Sequence, residues 1–337
     1  MNLLITGGAG FIGSNFLSYI TNKYPTYDFV NIDLLTYAGN LDNLKKIHEL
    51  PNYQFLQGDI RNRKFLESLF EKYHFDGVIH FAAESHVDNS IEEPSVFIET
   101  NIKGTFNLLE VSRKFWTGLN DNFGNKMKNS RFLHISTDEV YGTLGLDGYF
   151  KENTPYAPNS PYSASKAASD MLVRSYHHTF GMNVVTTNCS NNYGPMQHEE
   201  KLIPTIIRKA LAFEKIPIYG SGMNIRDWLY VEDHCKAIDL VFHKGMAGET
   251  YLIGGNNERT NIEIATKVCR ILDKKCQNQL SDSTLKSFTE LITFVKDRAG
   301  HDYRYAIDAQ KIKEELGWVP THSFEEGLNL TIDYYLK

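Results

Sequence analysis

The sequence predicts an α/β protein built on a Rossmann-type, doubly wound parallel sheet, with a smaller, mostly C-terminal α/β lobe attached. Three observations carry that expectation. A glycine-rich turn follows the first apolar run, short apolar strands alternate with longer amphipathic stretches through the first half, and turn signals crowd in after Asn188. A length of 337 residues suits one large domain with a second lobe. The expected division is 1–188 with 228–252 returning to it, and 189–227 with 253–337 as the second lobe.

The strands come in order. Leu3–Thr6, Phe29–Ile32, Tyr53–Leu56, Gly77–Phe81, Arg131–Ser136 and Asn183–Thr187 are short and several are apolar without alternation, the pattern of a parallel sheet covered on both faces. Tyr251–Gly254 reads as a late strand. Helices fit between them, at Ile12–Lys23 and Phe97–Trp116. The clearest spans Tyr162–Phe180, with Ser160 as N-cap, Pro161 at the first position and Gly181 as the stop. Cys189–Gly222 holds Gly194-Pro195, Pro204 and Pro217, which mark an insertion off the sheet. Asn261–Lys337 reads as α-rich and should cap the C-terminal edge of the sheet. Lys274–Thr289 is polar and gives no clear pattern.

Composition excludes several classes. Hydrophobic residues make up 42% and charged residues 23%, and the net charge is -6, so no global basic field points to nucleic acid. No apolar run reaches membrane length. Met1 and Asn2 lead straight into the first strand, so no secretory leader is expected. The four cysteines, Cys189, Cys235, Cys269 and Cys276, lack metal-like spacing and are expected as free thiols in a cytoplasmic protein. No HExxH pattern occurs among the twelve histidines, His177-His178 is expected to pack or face solvent, and no metal is expected.

The first turn reads Thr6-Gly7-Gly8-Ala9-Gly10-Phe11-Ile12-Gly13. Glycines at this spacing allow a tight turn, close approach of a pyrophosphate and helix–strand packing, and the helix end offers N–H groups to the phosphates. Asp33 closes the second strand, where a carboxylate accepts bonds from ribose hydroxyls and repels a 2′-phosphate, which favours NAD over NADP. Asp59 and Ile60 follow the third strand and are placed to face the adenine. Phe81, Ala82, Ala83 and Ser85 follow the fourth, where small residues let the chain pass close to a cofactor.

Tyr162 and Lys166 stand four apart on one helix and share a face. A lysine cation and a positive nicotinamide ring would favour tyrosinate, which could take a proton from an alcohol as hydride leaves its carbon. Thr137 ends the preceding strand within reach of the same alcohol. Asp138 and Glu139 follow; solvated turn acids are one reading. The other is a pair with split roles, a base and a neutral acid, which permits loss of water beside the hydride site.

Together these segments resemble the extended short-chain dehydrogenase/reductases, and within them the dTDP-glucose 4,6-dehydratases. The matches are the glycine turn, Tyr162-x-x-x-Lys166, Asp33–Leu41 (DLLTYAGNL), Ala82–Asp88 (AAESHVD), Ser136–Gly142 (STDEVYG) and Arg226-Asp227-Trp228. The likeness runs to about Trp318, with Ala299 where the family usually has proline. It implies a redox-neutral cycle on a nucleotide sugar. Tyr162 would deprotonate the 4-hydroxyl and C4 would lose hydride to NAD, Glu139 would remove the C5 proton, Asp138 would protonate the departing C6 hydroxyl, and hydride would return to C6. It also implies cofactor contacts at Gly7, Gly10, Phe11, Ile12, Gly13, Asp33, Leu35, Thr36, Asp59, Ile60, Phe81, Ala82, Ala83, Ser85, Thr100, Tyr162 and Lys166. Ser85 and Thr137 would touch the hexose. Asn191 and Lys201 would approach the nucleotide diphosphate, Arg226, and Arg298 with His301, would bind the diphosphate or nucleoside from the second lobe, Asn261 would lie nearby, and Tyr219 would also bind substrate. The family usually forms homodimers. The alternatives are a 4-epimerase or decarboxylase, a dehydratase for UDP- or CDP-sugars, and a non-catalytic NAD-sensing protein.

Overall fold

The computed structural model describes residues 1–117 and 130–337. The first half alternates strand and helix. It runs β1 (Asn2–Thr6), α1 (Phe11–Lys23), β2 (Asp28–Asp33), β3 (Tyr53–Gln57), α2 (Arg63–Tyr73) and β4 (Gly77–His80). Two short helices follow, α3 (Val87–Glu92) and α4 (Pro94–Phe97), then a π-helical segment Ile98–Gly104 and α5 (Thr105–Trp116). Two more strands of the large sheet follow, β5 (Arg131–Thr137) and β6 (Val184–Cys189), with α6 (Pro161–Phe180) between them.

The second half continues β7 (Asn191–Tyr193), α7 (Leu202–Leu211), β8 (Ile216–Tyr219), β9 (Ile225–Tyr230), α8 (Val231–Lys244) and β10 (Thr250–Ile253). It ends with β11 (Glu258–Thr260), α9 (Asn261–Lys275), α10 (Gln277–Ser281), β12 (Ile292–Val295), α11 (Gln310–Leu316) and α12 (Phe324–Tyr335).

Seven parallel strands form the main sheet in the order β10-β6-β5-β4-β1-β2-β3. The chain winds outward from β1 through β2 and β3, then restarts on the other side of β1 at β4. Carboxyl ends of β1 and β4 therefore flank a switch point, where open α/β sheets leave a crevice. One face buries Phe16, Leu17 and Ile20 of α1 with Ile238 and Val241 of α8. The other buries Leu66 and Phe70 of α2 with Leu108 and Phe115 of α5 and Val173 of α6.

A three-stranded sheet, β11-β9-β7, and a pair, β12-β8, make up the second lobe with α7, α9 and α12 over a separate core. The return to the main sheet differs from the sequence expectation by three residues. Trp228 and Tyr230 side chains enter the second core, while Leu229 and Val231 enter the first. The strand alternates between two cores, and the chain rejoins the large sheet only at α8. The polar stretch from Lys274 resolves into the end of α9, α10 and a 3-10 turn at Phe288–Leu291.

Helix α6 has the expected ends. Ser160 accepts from Ser163 N in a reciprocal capping box, Pro161 opens the first turn, and Gly181 stops it at φ 65°. The Phe97–Trp116 segment is not a plain α-helix. Its π turn brings Asn101 inward, where it holds Glu84 N at 2.8 Å and Ser165 Oγ at 2.8 Å. Such bulges recur at functional sites. Among the described residues no helix is long and apolar enough to cross a membrane, no His/Cys/Asp/Glu group could hold a metal, and all four cysteines are buried and free.

Candidate active site

One cleft lies over the carboxyl ends of β1, β2, β4, β5 and β6. The glycine turn forms its floor. Gly7 adopts φ +76°, and a Cβ there would stand 2.5 Å from Ala82 N, so the turn and the loop after β4 touch backbone to backbone. A Cβ on Gly13 would meet Gly7 O at 2.4 Å. Gly10 differs, since its Cβ would meet only Gly7 O at 3.4 Å and otherwise open cleft. Gly10 caps α1 without a side-chain bond, so the N–H groups at Phe11, Ile12 and Gly13 lie at the cleft surface. This bare helix end fits a pyrophosphate.

Asp33 does more than the sequence suggested. Its Oδ2 accepts from Ala9 N and its Oδ1 from Leu35 N, both at 2.9 Å. The carboxylate therefore staples the glycine turn to the end of β2 while still lining the cleft. Burial raises its pKa against those two bonds. Asp59 is held by Arg61, with Nη2 2.7 Å from Oδ2. Burial opposes its ionisation, but the Arg61 bonds win and keep it below the usual carboxylate range. Thr36, Ile60, Phe81, Ala82, Ala83, Ser85 and Thr100 also line the cleft. Leu35 does not. Its φ of 59° turns the chain, its side chain packs against the first core, and Leu34 takes the lining position.

Thr137, Asp138, Glu139, Tyr162 and Lys166 converge at the far end of the same cleft. Lys166 Nζ donates to Ile135 O at 2.8 Å, and burial lowers its pKa. Tyr162 is bonded to Thr137; burial first, then the Glu139 charge, holds its phenol well above the usual range. Desolvation thus opposes the tyrosinate, which leaves its formation to the lysine cation together with a positive nicotinamide ring. Asp138 is 1% exposed, and Thr137 Oγ1 donates to its Oδ1 at 3.3 Å. Burial and then the Glu139 charge push Asp138 well above the carboxylate range, which favours its protonated form. Burial raises Glu139 too, but Arg298, Arg226 and Lys201 draw it back down. Both acids are raised, but only Glu139 has three cations working against its burial, so the surroundings favour Asp138 as the one that keeps its proton.

Among the residues assigned to the nucleotide diphosphate, Asn191 and Lys201 line the cleft. Tyr219, Arg226, Asn261, Arg298 and His301 are not among its lining residues. Arg226 is 5% exposed and donates to the carbonyls of Ile225, Tyr303 and Asp302, with its guanidinium over the Tyr305 ring at 4.1 Å. Arg298 approaches Asp88 Oδ1 at 3.7 Å, Tyr219 OH approaches Asp88 Oδ2 at 3.4 Å, and His301 pairs with Asp297 at 2.6 Å. Asn261 opens α9, its N–H on Asn224 O at 3.1 Å.

Residues 4–331 match the family described as GDP-mannose 4,6 dehydratase. The chain belongs to this family. It is 54% identical over 333 residues to a dTDP-glucose 4,6-dehydratase of Xanthomonas campestris, covering 99% of this chain and 92% of that one. It resembles the crystal structure of dTDP-glucose 4,6-dehydratase from Bacillus anthracis in complex with NAD, at TM-score 0.85 and 46% identity, covering 100% and 96% of the two chains. The corresponding Streptomyces venezuelae enzyme, also with NAD bound, gives TM-score 0.88 and 43% identity over 100% and 97%.

Sequence reasoning missed a further wall of the cleft. Ser190, Asn192, Gln197, His198 and Glu200 line it from the segment around β7. Glu200 stands 3.8 Å from His86 Nε2 and 3.5 Å from His198 Nδ1. The Gly194-Pro195 turn marked an insertion but not its direction, and no spacing in that segment announced that it folds back over the cofactor end.

Proposed function

We propose that this chain is a dTDP-glucose 4,6-dehydratase that uses NAD and converts its substrate to dTDP-4-keto-6-deoxyglucose and water. The observation that carries the reading is the Asp138–Glu139 pair beside Tyr162 in the cleft, Asp138 buried and pushed far up in pKa, Glu139 half-buried and raised against three nearby cations. Bound NAD supplies a hydride acceptor and, later, the same hydride as donor. The bare end of α1 with Gly7, Gly10 and Gly13 would hold its pyrophosphate, and Asp33 its ribose.

The chain's own residues do the proton work. Thr137 and Tyr162 position the sugar 4-hydroxyl, and Tyr162 takes its proton. Lys166 fixes the positive charge behind that phenol. Glu139, the more readily ionised acid, removes the C5 proton, which a 4-keto group acidifies. Asp138 delivers its proton to the departing C6 hydroxyl. Arg226, Arg298 and Lys201 supply positive charge suited to a diphosphate, and Arg226 with Arg298 also tunes Glu139. The two cores support a division into a cofactor domain and a substrate lobe. Ile98, Phe106, Met171 and Phe180 expose apolar surface near α5 and α6, which supports a homodimer through that face. Free buried thiols suit a cytoplasmic setting.

The test is incubation of purified protein with dTDP-glucose and no added electron acceptor. The expected product is a ketosugar that absorbs in alkali, with no net reduction of bound NAD. Failure to form it from any nucleoside-diphospho-glucose overturns the reading; product from UDP- or CDP-glucose alone reassigns the nucleoside, and a C4 epimer instead marks an epimerase.

A further inference from the structure

Behind the site lies a second buried polar cluster that the chemistry above does not use. Asp170 follows Lys166 by one turn of α6 and is 4% exposed. Its Oδ1 stands 3.1 Å from His134 Nε2, and its Oδ2 accepts from Tyr156 OH and Asn188 Nδ2, both at 3.0 Å. Three partners, from β5, from the loop before α6 and from β6, thus converge on one buried carboxylate. Burial opposes its ionisation, but the His134 bond and the nearby Lys166 charge hold it below the usual range, so it is an anion. An ionised carboxylate only accepts, so His134 must donate from Nε2, which leaves Nδ1 as the buried atom without a partner.

We propose that Asp170 is a positioning residue for the oxidation step: it keeps Lys166 cationic, and Lys166 in turn supports the loss of a proton from Tyr162. This rests on the dehydratase reading above. His80, whose pKa burial lowers, also faces Lys166, and Asp170 shares a pocket lining with Glu152, Arg174 and Glu249. Burial lowers His134, on β5, to about 4. It raises Cys189, on β6, to about 12 and pushes the Tyr141 and Tyr156 phenols upward. Asp170 is then the one anion set against a lysine whose own burial disfavours its charge. It sits one helical turn farther from Tyr162 than Lys166 does, and the acids that raise Tyr162 are Glu139 and Asp138, not Asp170. The main effect of Asp170 on the phenol therefore passes through the lysine.

The test compares the pH dependence of ketosugar formation in the wild type, Asp170→Asn and Asp170→Glu. In Asp170→Asn the acid limb of kcat should move up by about one pH unit, and Asp170→Glu, which keeps the charge, should bring it back. A role confined to folding would lower yield or Tm and leave the limb in place. His134→Leu removes the bond that keeps Asp170 ionised, and should move the limb the same way by less; it serves if Asp170→Asn does not fold. If the limb stays put in both variants while ketosugar still forms, the role of Asp170 is overturned and the dehydratase reading stands. If the wild type forms no ketosugar, the dehydratase reading fails and takes this role with it.

Discussion

Lys201 Nζ donates to the Ser85 carbonyl oxygen across 3.2 Å, and so ties the second lobe to the loop after β4. Its partners face two directions. Ser85 ends the small-residue loop packed on the glycine turn, while Lys201 caps the start of α7. A sugar nucleotide held between the lobes would meet this ammonium at the point where the cofactor end of the cleft gives way to the substrate end.

Lys201→Met should therefore weaken substrate binding more than it slows the chemistry. Loss of one ammonium–phosphate contact is worth ~1.4 kcal/mol or more, a tenfold rise in KM. The kcat should stay within about threefold. Steady-state kinetics with dTDP-glucose decide it. An unchanged KM, or a kcat that falls while KM holds, removes Lys201 from the diphosphate site.

Glu139→Gln separates the two halves of the reaction. Oxidation at C4 needs Tyr162 and Thr137 and should survive, whereas proton removal from C5 should slow by ~10²–10⁴-fold. Reduced nicotinamide should then build up on the enzyme, seen as absorbance near ~340 nm, and ketosugar should not appear at the wild-type rate. Wild-type product formation by this variant moves the base elsewhere.

Much of this site was legible because its chemistry is local in sequence. The glycine turn, the Thr137–Glu139 run and the Tyr162–Lys166 pair each sit within one turn or strand end, where spacing fixes which side chains share a face. The main-sheet strands were legible for a similar reason, since buried parallel strands are short apolar runs. What escaped depends on distant partners. No local pattern says that Arg226 spends its guanidinium on the carbonyls of residues 225, 302 and 303, or that the segment after Gly194 folds over the cofactor end. The left-handed φ of Leu35, in the turn after β2, was not legible either, and it sends that side chain toward the first core. The depth at which Tyr162 is buried was not legible, because helix spacing shows a neighbouring charge but not desolvation.

Gly7→Ala tests the turn itself. The alanine would take a left-handed φ and place its Cβ 2.5 Å from the backbone of Ala82. The conformation alone costs roughly 1–2 kcal/mol, and the clash adds to it because backbone, not a flexible side chain, must move. Tm should fall by several degrees and bound NAD should be lost on purification. Gly10→Ala, with open cleft around it, should keep its Tm and lose affinity for the cofactor only. Equal Tm losses in both variants would contradict this division of labour.

Asp138→Asn should make the protein more stable and far less active. The folded-state pKa of Asp138 is raised by burial and by Glu139, whereas the unfolded chain holds it near ~3.9. Below about pH 4 both states keep the proton and burial carries no ionisation penalty. As pH rises past that point the unfolded chain ionises and the folded one does not, so stability falls through the interval up to the raised value. An asparagine never ionises and escapes that loss. The variant should melt higher than wild type at pH 7, by roughly 2–4 °C for each kcal/mol recovered, and the two should converge near pH 4. Without a proton to give the C6 hydroxyl, its ketosugar formation should drop by ~10²-fold or more. Melting curves at pH 4 and pH 7 read the first effect. If Asp138→Asn melts lower than wild type at pH 7, the carboxyl is ionised in the folded enzyme and cannot be the acid.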